Sequence, residues 1–231
     1  MCGALIRCWL SRQSISAETR QNQNDQGKRE SALEAPIFPF DVILFDVGGV
    51  LLTNGWDQRE RAAVIEHFQL DLAEFETLHK DYYDAWERAS IALTEYLDAT
   101  IFYEPRSFSR DEFFAFMLTQ SNPLPDGALG ILKELAASNQ CLLGALNNEA
   151  RETNEYRFDR FGLREFIKVA LSSCYLGLRK PEPAIYRRAL DILGRPAERI
   201  LFIDDRAENV AGAVAAGLKA IRFQGAEALR R

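Results

Sequence analysis

The sequence is short of the groups that bind soft metals. Its 231 residues include 4 cysteines and 2 histidines, and Cys2, Cys8, Cys141 and Cys174 form no CxxC pair. A zinc site and a disulfide framework are both disfavoured on that count. Cys141 and Cys174 stand in apolar runs, where a small buried hydrophobe is the plain expectation. No run approaches the ~18 apolar residues that read as a membrane span. Arg7 and Arg12 interrupt the apolar start, which leaves no signal-peptide core, so a cytoplasmic protein is expected. Positive charge is not in excess either: the formal net charge is -6. That argues against the basic face of a nucleic-acid binder, but not against a local cationic cluster facing a phosphorylated small molecule. The motifs GxGxxG, GxxxxGKS/T, GxSxG and HExxH are missing, and with them the usual dinucleotide, P-loop, serine-hydrolase and zincin readings. There is no internal repeat.

Hydrophobic residues make up 47%, enough for a sizeable core. Residues 1–36 are mostly polar after the first ten or so, and 11–35 have too few large apolar groups to offset their ordering entropy; a disordered tail is expected there. From residue 41 short apolar runs alternate with helical patterns. DVILFD (41–46), CLLGAL (141–146), KVALS (168–172), ILFID (200–204) and KAIRF (219–223) read as strands. Helices are expected over 126–138, with Leu129, Leu132 and Leu135 spaced for one face, and over 149–161, with Tyr156 and Phe158 as core contacts. Two more are expected over 181–193, starting at Pro181, and over 206–217. Such alternation predicts an α/β fold with a parallel sheet covered on both faces. Residues 57–121 break the pattern. They contain no convincing strand, a 3.6-residue recurrence of Leu72, Phe75, Leu78, Tyr82 and Trp86, and a capping box, Ser109 with Glu112. The expected division is therefore a core of 37–56 plus 122–231, with a helical insert over 57–121.

In open α/β folds ligands lie beyond the carboxyl ends of the strands. The chemically distinctive residues fall there: Asp46, Asn147 and Asn148, Lys180, and Asp204 with Asp205. Three carboxylates converging on one point repel one another unless a cation joins them. Oxygen donors without His or Cys suit a hard ion, and Mg²⁺ is the usual one beside phosphate. Lys180 adds a point charge, Asn147 and Asn148 add amide donors, and Gly48 and Gly49 allow a sharp turn that brings backbone N–H groups near an anion. One carboxylate can then serve as nucleophile.

The pieces ILFDVGGVL, ALNNE, LGLRKPEPAIY and FIDDRAENVAGAVAAGL, spread over residues 41–223, resemble the four motifs of the haloacid dehalogenase (HAD) superfamily, in the branch with a small helical cap after the first motif. The chain is similar to bacterial sugar-phosphate phosphatases of the glucose-1-phosphate type. The resemblance implies a Rossmann-like three-layer core and an aspartyl-phosphate on Asp46. It implies Mg²⁺ held by Asp46, Asp205, Asp204 and the backbone carbonyl of Gly48, with Lys180 neutralising nucleophile and phosphate. The expected ligand is a small phosphorylated metabolite, and neither a monomer nor a homodimer is singled out.

Two positions depart from the family pattern. Asn147 stands where Ser or Thr is usual, and an amide still donates. Gly48 stands where a second aspartate normally protonates the leaving alcohol, a service worth roughly 10²–10⁴-fold. Glu149, His67, His79 and Asp57 are candidate replacements. Two other readings follow from Gly48: a haloacid dehalogenase, which needs no acid there, and a phosphate-binding protein without turnover.

Overall fold

The computed structural model describes residues 38–230. The tail expected over 1–36 lies outside the described residues. Five strands form one sheet: β1 (Val42–Phe45), β2 (Leu142–Ala145), β3 (Val169–Ala170), β4 (Ile200–Asp204) and β5 (Lys219–Arg222), in the order β3-β2-β1-β4-β5. Every pairing is parallel, with Phe45 level with both Ala145 and Ile203. β1 is central and is buried along its whole length, which is why VILF is an unbroken apolar run rather than an alternation.

Ile43, Phe45, Leu201 and Ile203 pack on one side against Ile131, Leu132 and Leu135 of α5 (Leu129–Ser138) and Phe158 of α6 (Arg151–Arg160). Val42, Leu44, Ile200 and Phe202 pack on the other side against Ile185, Tyr186 and Ala189 of α8 (Pro183–Leu193) and Ala213 of α9 (Ala207–Ala215). The result is the expected three-layer α/β arrangement. A one-turn helix, α7 (Ser173–Leu176), follows β3, and α10 (Ala226–Arg230) closes the described chain. Two details differ from expectation. The helix expected from Pro181 starts at Pro183, so its N-terminus is displaced from Lys180. Within α6 the buried neighbour of Phe158 is Arg157 rather than Tyr156.

Between β1 and α5 come α1 (Gln58–His67), α2 (Leu72–Glu87), α3 (Leu93–Thr100) and α4 (Arg110–Leu118). They share a core of their own built from Val64, Ile65, Phe75, Trp86, Tyr96 and Phe113 with their neighbours. Asp57 and Asp71 cap α1 and α2, and Ser109 with Glu112 forms the expected capping box of α4. On α2 the inward stripe is Phe75, His79 and Trp86, whereas Leu72 and Tyr82 are exposed. Counting only apolar letters hid His79, whose ring stacks between Phe75 and Tyr83.

The chain enters and leaves this helical layer side by side. Thr53 N–H donates to Asn122 O at 2.8 Å, Asn122 N–H donates to Thr53 Oγ1 at 3.0 Å, and Thr53 Oγ1 donates to Gln120 O at 3.1 Å. Arg157, buried beneath, donates to the carbonyls of Thr53 and Asn54 and pairs with Glu149.

Candidate active site

The sheet register delivers the site. Asp46 is the first residue after β1, its N–H still bonded to Ile203 O at 2.8 Å, and Asp204 is the last residue of β4. Lys180 reaches between them, with Nζ 2.6 Å from Asp204 Oδ2 and 3.0 Å from Asp46 Oδ2. All three side chains are nearly or wholly buried. Burial pushes the Asp46 carboxyl up, opposed by Lys180, and the Asp204 and Asp205 charges add to the rise. Burial pulls the Lys180 ammonium down, but the Asp46 and Asp204 charges outweigh it and hold the group above its usual range. Asp204 is heavily committed. Besides Lys180 it accepts from Arg206 N at 2.8 Å and from Asn209 Nδ2 at 3.1 Å on each oxygen, so it positions Lys180 and the loop that follows.

Asp205 is different. Its Oδ1 is buried and finds no hydrogen-bond partner among the described residues. Asp46, Asp204 and Asp205 each offer one oxygen, all within 4.8 Å of one another. A hard-oxygen set with a buried unpartnered carboxylate oxygen fits a divalent cation such as Mg²⁺. Gly49 makes room for this set: a Cβ there would lie 2.4 Å from Asp205 Oδ2, and its φ of +73° suits glycine. Its N–H is spent within the turn, on Leu52 O at 2.8 Å, and is not offered to an anion.

Asp46 opens on a cavity of about 680 Å³ between the sheet edge and the helical layer, lined by Asp46, Gly48, Asn148 and Lys180 from below and by Lys80 and Tyr83 from above. Asn148 clasps Lys180 through its backbone, donating to the carbonyl and accepting from the N–H, both at 2.9 Å. Asn147 is not brought to the cavity. It is 2% exposed, and its amide donates to Asn154 Oδ1 at 3.0 Å while its carbonyl oxygen accepts from Ser172 Oγ at 2.7 Å. A buried polar side chain must find partners, and Asn154 and Ser172 provide them here, so the expected phosphate contact is replaced by a structural one.

A sequence profile of the haloacid dehalogenase-like hydrolases matches residues 40–217. The chain belongs to that family. Among curated relatives, a pyrimidine 5'-nucleotidase of Escherichia coli is 30% identical over 110 residues, 47% of this chain and 48% of that protein. A phosphoglycolate phosphatase of Rhodospirillum rubrum is 35% identical over 95 residues, 41% of this chain and 39% of that protein. An (S)-2-haloacid dehalogenase of Burkholderia cepacia is 26% identical over 196 residues, 83% of each chain. The match thus spans about half or less of the two phosphatases and most of the dehalogenase. A HAD family enzyme of Bacteroides thetaiotaomicron, crystallised as a magnesium complex, shares the fold at a TM-score of 0.68 and 18% identity, covering 81% of this chain and 94% of that one. Among the described residues no helix is long and apolar enough to cross a membrane.

Placed in this hydrolase, the four candidate acids and bases separate clearly. Glu149 is buried, paired with Arg157 and bonded by Thr153 Oγ1 at 2.7 Å. His67 stacks on Phe116, centroids 3.8 Å apart, and does not line the cavity. His79 lines it, but burial, with Arg61 and Arg179 nearby, pulls its imidazole down to about 3. Trp56 Nε1 donates to the Tyr96 hydroxyl at 3.0 Å, and that hydroxyl is hydrogen-bonded to His79 Nδ1 at 2.8 Å. Asp57 lines the cavity, bonded to Asn54 and Arg206. Sequence reasoning missed Arg157, Asn54, Arg206 and Glu87. Glu87 ends α2, opens on the cavity beside Arg179, and is lifted by burial to about 7 against the pull of that arginine.

His79 carries a stability prediction. The unfolded chain protonates it near 6.5, whereas the folded protein resists until about 3. The stability it contributes is therefore present above 6.5 and lost as the pH falls below that value. From pH 6.5 to 5 the loss is about 1–2 kcal/mol. Urea unfolding at both pH values should show that loss shrinking by this amount in His79→Gln, which retains an acceptor for Tyr96. An unchanged pH dependence would contradict a buried neutral imidazole.

Proposed function

We propose that this hydrolase is a Mg²⁺-dependent phosphatase that cleaves a small phosphomonoester through an aspartyl-phosphate on Asp46. The observation that carries the reading is the contact of Asp46 with Lys180, both lining the cavity, beside the unpartnered oxygen of Asp205. Asp46 attacks phosphorus, Lys180 balances charge on the nucleophile and the incoming phosphate, and Asn148 fixes Lys180. Asp46, Asp205, Asp204 and the carbonyl of Gly48 are the residues that would hold Mg²⁺. When bound there, the ion supplies charge neutralisation of phosphoryl oxygens. The nucleotidase and phosphoglycolate phosphatase among the relatives support a phosphorylated metabolite of small size, and a sugar phosphate belongs to the same class.

A second reading, the haloacid dehalogenase, draws on Gly48 and on the near full-length match to the Burkholderia cepacia enzyme. Asp204 and Asp205 weigh against it, because two further carboxylates oppose an anionic haloacid when no metal joins them. One screen separates the two. Phosphate release from a panel of phosphomonoesters should fall by roughly 10²-fold or more when Mg²⁺ is chelated with EDTA. Halide release from 2-chloropropionate that persists in EDTA, with no phosphate release from any ester, would replace the phosphatase reading with the dehalogenase one.

A further inference from the structure

An alkyl phosphate leaves as an alkoxide unless something protonates it, and Gly48 has no side chain to do so. The space beside Gly48 is nonetheless occupied. A Cβ built on Gly48 would lie 2.8 Å from Asn54 Oδ1, so the Asn54 amide sits where a side chain at 48 would begin. The other end of that amide, Nδ2, donates to Asp57 Oδ2 at 3.3 Å. Arg206 Nη2, from the turn after Asp205, donates to the same oxygen at 3.1 Å. Asp57 Oδ1 accepts from Gln58 N–H at 2.8 Å as the cap of α1. Three donors thus orient the carboxylate, yet its side chain stays 41% exposed, on the cavity that Asp46, Gly48 and Asn54 also line. Glu149 is locked in its pair with Arg157, and His67 lies away from the cavity. Glu87 faces Arg179 from the far end of α2, and no bond links it to the loop over 46–54.

We propose that Asp57, tethered by the Asn54 amide that fills the space beside Gly48, is the catalytic acid and base of this site. The proposal rests on the phosphatase reading. In the first half-reaction a carboxylate oxygen of Asp46 bonds to phosphorus. The ester P–O bond breaks with its electron pair going to the leaving oxygen, which takes the proton of Asp57 to give the free alcohol. In the second half-reaction water gives a proton back to the Asp57 carboxylate as its oxygen bonds to phosphorus. The P–O bond to Asp46 then breaks with its pair returning to that carboxylate, and inorganic phosphate leaves.

The test is the dependence on leaving group. Asp57→Asn keeps an oxygen for the Gln58 N–H, so the cap of α1 is retained, and circular dichroism and thermal melting check the fold. For the best alkyl phosphate in the panel, kcat/KM should fall roughly 10²–10⁴-fold. For p-nitrophenyl phosphate, whose phenolate leaves without a proton, it should fall less than about tenfold. A structural role would lower both equally. Equal losses, no loss, or a leaving-group-dependent loss in Glu87→Gln instead of Asp57→Asn would overturn the assignment while the phosphatase reading stood. A wild-type protein that hydrolyses neither ester would overturn both.

Discussion

Asp46→Asn is expected to lower phosphate release by at least roughly 10⁴-fold, because the amide that replaces the carboxylate is a poor nucleophile and no covalent intermediate can form. The substitution is nearly isosteric. Its carbonyl oxygen can still accept from Val47 N–H, the bond that Asp46 Oδ1 makes at 2.8 Å, and Lys180 retains Asp204. The fold should persist, since one of several converging negative charges is removed from a buried site. Mg²⁺-supported hydrolysis of p-nitrophenyl phosphate, compared with thermal melts of both proteins, checks this. A residual rate above about a hundredth of wild type would mean that another group attacks phosphorus.

The second large effect belongs to Lys180. Lys180→Met should cost about 3–5 kcal/mol of stability, because it leaves Asp46 and Asp204 buried without their shared cation. Activity should also fall, by roughly 10²–10³-fold, as a charge aimed at the phosphoryl oxygens is lost. Combining Lys180→Met with Asp204→Asn should recover part of the stability, since one of the stranded charges is then gone, but none of the activity. Urea denaturation of the single and double variants measures the coupling. A cost below about 1 kcal/mol for Lys180→Met would be incompatible with a buried ion triad.

How far the sequence could be read depended on the kind of signal. The five strands were legible because a central parallel strand is apolar on both faces, so VILF and ILFID stand out without periodicity. Asp46, Lys180, Asp204 and Asp205 were legible because strand ends converge in this topology, and their meeting follows from the sheet order. Asn147 was misplaced because spacing locates a backbone and says nothing of where an amide turns; Asn154 and Ser172 captured it. His79 was named as a candidate acid or base, but its burial was hidden, because it rests on aromatic stacking and a hydroxyl partner that no hydrophobic count rewards. Arg157 is the clearest omission. A charged residue on α6 reads as solvent-facing, yet it is 1% exposed, because Glu149 and two carbonyls more than a hundred positions away in the chain take up its two terminal nitrogens, while Nε finds no partner among the described residues.

The crossing at Thr53 and Asn122 has a mechanical consequence. Two connections leaving a sheet at separate points would let the helical layer shear, tilt or twist over the cavity. Here the outgoing and returning strands of chain are stitched to each other, and the guanidinium of Arg157 rivets the outgoing one to the helix beneath. The layer above the cavity is therefore joined to the sheet at this stitched edge and again at the far end of α2, where Arg88 pairs with Glu182, Arg179 pairs with Asp84, and Ser173 Oγ donates to Glu87 O at 2.8 Å; a swing about the edge has to break those bonds first. Asn54 and Asp57 lie next to the stitched edge, where such a swing displaces atoms least, while Tyr83, its ring 4.8 Å from the Arg179 guanidinium, lies at the latched end.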